Sequence, residues 1–437
     1  MINTRHDHRG HHHADMISVE DAYNRILEAF HILESEERGL LQAQGQVMAK
    51  DLFSPFDIPM LSNSAMDGYA IRFRDVESAS SSSPVILRVT ETVAAGYMPK
   101  GTVEKGTAIR IMTGAPVPKG CDTIIPFEET DEDQRKTSGK GLKEIGIKKA
   151  QSFNMHIRPR GEDIAKDSKV LAKGTILTPS SIGVLASLGF KSVQVVRRPR
   201  VSIIATGDEL TSPGRQLKDG KIFDSNSYTI AAAVKRYGGI PKIIGIAKDN
   251  MEDLRKKLLV GLESDLLVTC AGVSKGDYDM VKDVLAQLGE VNFWSIRMRP
   301  AKPLAWGMLR GGMRAKTTPH IGLPGNPVSA LVAFEEFVRP AILKMLGKKK
   351  LSKPTILADL EAPIYNPDGR RVYARVHVTL VDGKYYAKPT GPQGSNILTS
   401  MLRANGLAIC PEDLAFLDKG QKVVVKMLEW NEEGKLD

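Results

Sequence analysis

The stretch LLVTCAGVSKGDYDMVKDVLAQLGEVNFWSI, residues 266–296, decides the architecture. Leu266 to Cys270 is a short, mostly apolar run of the kind that forms a strand buried on both faces. Ala271 to Asp277 brings two glycines, a serine and a lysine, the composition of a turn. From Tyr278 to Leu288 the apolar residues recur at helical spacing, and Val291 to Ile296 reads as a strand again. A strand that leads into a helix and back into a strand is the unit of a parallel sheet.

The alternation extends both ways. Upstream, Val201 to Ala205 is a strand, Tyr228 to Tyr237 a helix stopped by Gly238-Gly239, Ile243 to Ile246 a strand and Met251 to Leu262 a helix. Downstream come strands at Leu304 to Met308 and His320 to Leu323, then a long helix from Pro327 to about Leu346. Residues 199–347 are therefore predicted to form a central parallel-sheet, Rossmann-like α/β domain with helices on both faces. In such folds the ligand sits at the carboxyl ends of the strands.

Those ends carry small, polar and acidic residues: Thr206-Gly207-Asp208-Glu209, Ala247-Lys248-Asp249-Asn250, Gly272-Val273-Ser274-Lys275-Gly276-Asp277-Tyr278-Asp279 and Pro324-Gly325-Asn326-Pro327. Glycine lets backbone N–H groups approach an anion closely. Each cluster alone is also what an ordinary turn looks like, but four on one rim point to a site. Arg299-Pro300-Ala301-Lys302-Pro303 supplies two cations suited to phosphate. Acids beside an anion call for a hard divalent cation, and Mg²⁺ bridges carboxylates to phosphates. Glu209, Asp249 and Asp279 are the candidate ligands, with helix capping as the plainer role for the two aspartates.

Outside this domain, residues 51–163 read as β-rich, with short apolar runs between glycines and prolines. Ser78 to Ser83 and the charged stretch Thr130 to Lys149 read as surface loops. Val372 to Val381, Asp382-Gly383 and Lys384 to Lys388 form a strong hairpin signal, within a C-terminal β region at 348–437. Ser18 with Asp21 resembles a capping box at the start of a helix. Residues 1–15 hold five of the nine histidines without periodicity and read as a disordered extension.

At 437 residues the chain exceeds one ordinary core, so several domains are expected. No apolar run approaches the roughly 18–20 residues that span a bilayer, and no apolar segment opens the chain. The expectation is a cytoplasmic protein without a membrane partner. Cys121, Cys270 and Cys410 form no CxxC pair, which points to reduced thiols. The net charge of +10 is spread along the chain with no aromatic-interleaved stripe, so an anionic small molecule is preferred over nucleic acid.

The chain lacks a GxxxxGK[ST] loop, a GxGxxG fingerprint and an HExxH motif. Gly272 to Gly276 does match GxSxG between a strand and a helix. A serine hydrolase using Ser274 would need a later histidine, and His320 and His377 are the candidates.

The segments NSAMDGYA (63–70), IRIMTGAPVPKGCDTIIPFEET (109–130), RPRGEDI (158–164), ATGDEL (205–210), FDSNS (223–227), GVSKGDYDMVKDVL (272–285), RPAKPLAWG (299–307), GLPGNPVSA (322–330) and GPQGSNILTSML (391–402) occur in this order. Together they resemble the molybdopterin molybdenumtransferase family, the MoeA type shared by the gephyrin E domain. The resemblance runs from about residue 16 to the C-terminus.

The resemblance implies a multidomain α/β plus β fold. Residues 16–50 and 164–198 would form an elongated discontinuous α+β domain, interrupted by the β-rich inserted domain at 51–163. The α/β domain at 199–347 and a C-terminal β-barrel at 348–437 would follow. It implies insertion of molybdate into adenylylated molybdopterin with Mg²⁺ and release of AMP. It implies a homodimer whose composite site takes NSAMDGYA and MTGAPVP from the partner copy, and contact with other molybdenum cofactor biosynthesis proteins. By motif, Asp67, Thr113, Asp163, Glu209, Asp249 and Asp279 would line the catalytic cleft. Substrate would meet Thr206, Gly207, Asp224, Ser225, Asn226, Gly272, Ser274, Lys275, Arg299, Lys302, Pro324, Pro327 and Ser395. The chain departs from the family at CAGVSKG, usually SGGVSVG, and at RPAKP, often KPGKP. A non-catalytic scaffold on the same fold is the alternative, and the complete set of acids favours an enzyme.

Overall fold

The structure, a computed structural model, describes residues 16–270, 278–311 and 317–429. The chain forms two compact units. The larger takes the chain up to Ala49, Ile176–Thr178 and everything from Ser192 onward, and the smaller takes Lys50–Thr175 and Pro179–Lys191. The histidine-rich residues 1–15 lie outside the described residues.

The larger unit is built on a six-stranded sheet: β1 (Arg200–Thr206), β2 (Ile240–Ala247), β3 (Leu266–Cys270), β4 (Gly289–Ser295), β5 (Pro303–Arg310) and β6 (Thr317–Leu323). Their order is β2-β1-β3-β6-β5-β4. The first four in that order are parallel. The expectation of a wholly parallel sheet fails at the other edge, where β5 runs antiparallel to both β6 and β4. The cause is connection length. Only residues 296–302 join β4 to β5, and only 311–316 join β5 to β6. A parallel crossover needs a dozen residues or more. Two reversals leave β4 pointing the same way as β6, so its carboxyl end joins the rim formed by the parallel strands.

Helices α1 (Asn226–Arg236), α2 (Met251–Gly261), α3 (Tyr278–Leu288), α4 (Pro327–Ala333) and α5 (Arg339–Met345) cover the sheet. The period-two geometry of a strand shows in the packing. Val201 and Ile203 meet Ile230 and Val234 of α1 and Val332 of α4 in one core. Ile204 and Leu267, on alternate positions, meet Leu254 and Leu258 of α2 and Leu285 of α3 in another. Each such side chain contributes about 1.5–3 kcal/mol by leaving water. The long helix expected from Pro327 is interrupted by a π-helical turn at Phe334–Val338. Pro340 follows it, and proline can neither donate to the helix ladder nor tolerate the carbonyl four residues back, so the ladder widens just before it. Before the sheet, helix Val19–Glu28 begins at Ser18, whose Oγ accepts from the Asp21 N–H at 3.0 Å.

The edge strand β2 carries Pro241 and Lys242, and its register against β1 shifts between Ile203 and Ile204, leaving a bulge at Ile244.

The C-terminal part of the larger unit is a closed five-stranded barrel of β7 (Thr355–Leu360), β8 (Arg371–Val381), β9 (Lys384–Pro389), β10 (Gly406–Cys410) and β11 (Lys422–Met427). Pairings run β8-β9-β7-β11-β10 and return to β8. Ala374, Val376, Val378, Ala387, Ala408 and Val425 fill its interior. Asp382 and Gly383 both have positive φ, 48° and 74°, as the predicted two-residue hairpin turn requires.

The smaller unit contains a five-stranded mixed sheet in the order Thr123–Pro126, Gly68–Ile71, Thr107–Ile111, Val85–Val93, Glu144–Ile147. Its central strands are apolar on both faces. Tyr69 and Ile71 enter one core and Ala70 the other. The reading of 130–149 as a surface loop is wrong. It contains helix Glu132–Thr137 and the edge strand Glu144–Ile147. Glu132 is buried because it accepts from Arg110 at 2.8 and 3.1 Å, from Tyr69 Oη at 2.5 Å, and pairs with Lys136 at 2.5 Å. Partners distant in sequence made that charge buriable, and local composition cannot reveal them.

Among the described residues no helix is long and apolar enough to cross a membrane. The three cysteines are free, with Cys270 and Cys410 buried.

Candidate active site

The rim formed by the carboxyl ends of the strands opens into a cavity of about 920 Å³ in the larger unit. Of the residues named from sequence, Glu209, Asp224, Ser225, Asn226, Arg299, Lys302, Pro324, Pro327 and Ser395 line it. They come from the end of β1, the start of α1, the β4–β5 connection, the β6–α4 turn and the loop after β9.

Gly207 directs the first of these. Its φ is +139°, and a Cβ there would lie 2.3 Å from a Glu209 carboxylate oxygen. Only glycine lets that carboxylate fold back over the chain. The Asp208 N–H donates to Asp249 Oδ2 and the Asp249 N–H donates to Asp208 Oδ1, both at 3.2 Å. The turns after β1 and β2 are thereby tied together, and Asp249 takes a positioning part outside the cavity lining. Thr206 is the buried last residue of β1. The Asp279 side chain, and the whole of Gly272, Ser274 and Lys275, lie outside the described residues.

Asp224 Oδ1 accepts from the Ser227 N–H at 3.0 Å and so caps the start of α1. Asn226 Nδ2 donates to Gly325 O at 2.7 Å, joining that start to the β6–α4 turn. The other amide oxygen, Asn226 Oδ1, is buried without a partner among the described residues. A buried acceptor left unpaired costs about 1–3 kcal/mol, which a ligand hydroxyl or N–H would recover. The Val328 N–H donates to Ser395 O at 3.1 Å, which anchors the barrel loop to the same rim.

The cavity has three cations, Arg299, Lys302 and Arg370, against the carboxylates Glu209 and Asp224. Arg370 was not singled out from sequence. It stands beside Arg371, which is taken by Glu20 and Glu412, and nothing in an Arg-Arg pair says which one faces a ligand. Arg370 donates to Asp368 at 2.5 Å, and Arg299 lies 3.5 Å from the same carboxylate. Burial pushes the Asp368 pKa up, but the Arg370 hydrogen bond and both charges outweigh it and hold it low. Arg375 is the other omission. It is 1% exposed and has no carboxylate partner among the described residues. Its Nη2 donates to Gly394 O at 3.0 Å and its Nε to Ser400 Oγ at 3.1 Å, which holds the loop bearing Ser395. Burial and the nearby Arg299 charge lower its pKa to about 10, so it stays a cation at neutral pH.

Ala301, where the family often has glycine, has φ +76° and is buried. A left-handed non-glycine residue costs about 1–2 kcal/mol, and a buried methyl returns roughly 0.8 kcal/mol. The terms nearly cancel, so Ala301→Gly should unfold in urea within about 1 kcal/mol of the parent. Ala301→Val, branched at Cβ, should lose about 2 kcal/mol or more. Equal midpoints for all three chains would refute this account of the turn.

Cys270 forms part of the cavity floor. Complete burial pushes its thiol far above the usual range, so it remains protonated. Burial lowers the His320 pKa to about 3, and its Nε2 lies 3.0 Å from Thr269 Oγ1 within the sheet. Neither His320 nor the exposed His377 lines the cavity, and the Ser274 that a hydrolase would use lies outside the described residues.

In the smaller unit, Asp67 and Thr113 form a pair. Asp67 Oδ1 accepts from the Thr113 N–H at 2.7 Å and from Thr113 Oγ1 at 2.8 Å. These hydrogen bonds hold the exposed carboxyl below the usual range. Asp67 precedes Gly68, where a Cβ would lie 2.1 Å from Ile125 O, so glycine there lets the strand seat and fixes the acid at its head. Asp163 is exposed in a turn, its N–H donating to Ile58 O at 3.0 Å, and no hydrogen bond links it to the Asp67–Thr113 pair.

Three family models match in chain order. The MoeA N-terminal region (domain I and II) covers residues 17–189, a probable molybdopterin binding domain 202–344, and the MoeA C-terminal region (domain IV) 358–428. Molybdopterin molybdenumtransferase 2 of Mycobacterium tuberculosis is 37% identical over 417 residues, covering 94% of this chain and 99% of the relative. The Nostoc molybdopterin molybdenumtransferase is 35% identical over 431 residues, covering 96% and 95%. The crystal structure of the molybdopterin biosynthesis moea protein from Pyrococcus horikosii superposes with a TM-score of 0.79 at 31% identity, covering 95% of this chain and all of that one. With the cavity on the sheet rim and the barrel behind it, these relatives place the chain in the molybdopterin molybdenumtransferase family.

Proposed function

We propose that this enzyme inserts molybdenum into molybdopterin in molybdenum cofactor biosynthesis, taking molybdate and adenylylated molybdopterin and releasing AMP. The observation that carries this reading is the cavity itself: three cations and the start of α1 face a space bounded by two acids. A helix start and a cluster of guanidinium and ammonium groups suit oxyanions. Arg299, Lys302 and Arg370 hold the phosphate and the molybdate. Asn226 Oδ1 accepts a hydrogen bond from the organic part of the substrate. Arg375 keeps the Ser395 loop in place.

Of Glu209, Asp249 and Asp279, Glu209 is the hard oxygen donor that lines the cavity and would hold Mg²⁺. Asp249 lies outside the lining, the Asp279 side chain lies outside the described residues, and among the described residues no three potential ligands stand together. Bound there, Mg²⁺ would polarise the phosphoanhydride as a Lewis acid. Glu209 has its carboxylate in the cavity, and the mutual hydrogen bonds of Asp208 and Asp249 keep the neighbouring turn from spreading.

The Asp67–Thr113 pair and Asp163 belong to this reaction through a homodimer, in which one copy lends them to the cavity of the other. The Asp67 carboxyl, held low by Thr113, is an anion at every physiological pH.

The test supplies purified protein with adenylylated molybdopterin, Mg²⁺ and molybdate and measures AMP. AMP should appear only with molybdate; its absence with intact substrate refutes the reaction. Asp67→Ala and Glu209→Ala chains, each inactive, should regain about a quarter to a half of parental activity after subunit exchange, because mixed dimers keep one intact site. No recovery despite proven exchange would refute the shared site.

A further inference from the structure

A second, smaller cavity of about 180 Å³ lies in the larger unit, at the other end of the sheet. Arg198, Lys235, Arg236 and Lys348 line it. Arg198 stands just before β1, Lys235 and Arg236 end α1, and Lys348 follows α5. The first cavity touches β1 at Ala205 and α1 at Asn226. At about 3.3 Å per strand residue the two cavities are roughly 20 Å apart.

Four cations converge here, and no carboxylate lines the cavity. Among the described residues Arg236 alone has an acid, Glu429, at 3.2 Å. The Arg198 side chain donates, among the described residues, only to the Gln44 carbonyl, at 3.2 Å. Lys235 and Lys348 have no ion pair among the described residues. Basic side chains are ordinary at helix C-termini, where the dipole repays them modestly. That explains Lys235 and Arg236. It does not explain Arg198, which belongs to a strand approach, or a half-buried lysine facing it. Burial and the Arg198 charge both act to lower the Lys348 pKa, so the protein itself does not neutralise this pair.

We infer that this rear cavity binds a tetrahedral dianion, sulfate, phosphate or molybdate in shape, separately from the substrate site. A volume near 180 Å³ holds one such ion with a few waters, at about 30 Å³ each. It is too small for a nucleotide or a pterin. The Arg198 guanidinium and the Lys348 ammonium grip the ion, and Lys235 and Arg236 close over it.

The probe is radiolabelled sulfate, measured by equilibrium dialysis against the full chain at constant ionic strength. The Arg299→Gln, Lys302→Gln chain should still bind one sulfate through the rear cavity. Adding Arg198→Gln and Lys348→Gln to it should abolish that binding. Lys235→Gln, an exposed change that spares the fold, should weaken it about tenfold. Unlabelled phosphate and molybdate should displace the label if the ligand is a free oxyanion. Equal displacement by AMP, a nucleotide too large for the cavity, would overturn the inference. Undiminished sulfate binding by the four-site variant, or none by the Arg299→Gln, Lys302→Gln chain, overturns the inference. If the four-site variant fails to fold, an unchanged affinity in Lys235→Gln overturns it instead.

Discussion

The Arg299→Gln, Lys302→Gln chain will fold normally and lose about a thousandfold or more in molybdate-dependent AMP release. Both side chains sit on the β4–β5 connection and extend from it into the cavity. Arg299 is 44% exposed, so removing its charge empties no core. Asp368 keeps its 2.5 Å contact with Arg370 and is not stranded. Surface changes of this kind usually shift stability by less than about 0.5 kcal/mol. The loss therefore falls on the anion, which would retain only Arg370 and the start of α1. Arg299→Lys keeps the charge but loses the planar fork, and should fall between the two. Turnover within tenfold of the parent in the double variant would remove these residues from the reaction. The check is single-turnover AMP release beside a urea unfolding curve.

Glu132→Ala should cost the smaller unit about 3 kcal/mol, because it strands the partly buried Arg110 and the buried Tyr69 hydroxyl at once. The pH dependence has a definite sign. Burial pushes the Glu132 pKa up, but hydrogen bonds from Arg110, Lys136 and Tyr69 prevail and bring it to about 2, against 4.5 for an ordinary glutamate. Its contribution is complete above pH 4.5 and drains away as pH falls towards 2. Acid should therefore destabilise the parent more steeply than Glu132→Gln across that window. Tryptophan fluorescence is a poor reporter of this, since the two described tryptophans, Trp294 and Trp306, belong to the larger unit. Hydrogen exchange at Gly68–Ile71 and Thr123–Pro126 reads it directly. Parallel acid profiles for the two chains would show that the cluster is not the acid-sensitive element.

The order of strands and helices from Arg200 to Met345 was legible because buried strands and amphipathic helices have different periods. Strand direction at β5 was legible too, had connection length been weighed above alternation. The cavity's acids and cations were legible as turn residues at strand ends. Arg375 and Glu132 were not. Each is a charge whose burial depends on partners brought from elsewhere, Gly394 and Ser400 for one, Arg110 and Tyr69 for the other. A linear reading assigns such residues to water. Arg370 and Arg371 show the same limit at single-residue scale, since one stands just before β8 and the other opens it, and nothing local says which faces a ligand.

The outer strand of the central sheet has a consequence for life in a crowded solution. A free strand edge is a template on which another chain can add itself, and repeated addition makes fibres. The barrel has no such edge because it closes. The sheet does, at Ile240–Ala247, and there it presents a proline that cannot donate, a lysine that repels its like, and a bulge that breaks the straight run. Self-association through that edge is thereby discouraged in a chain whose exposed Ile240 and Ile243 would otherwise favour it.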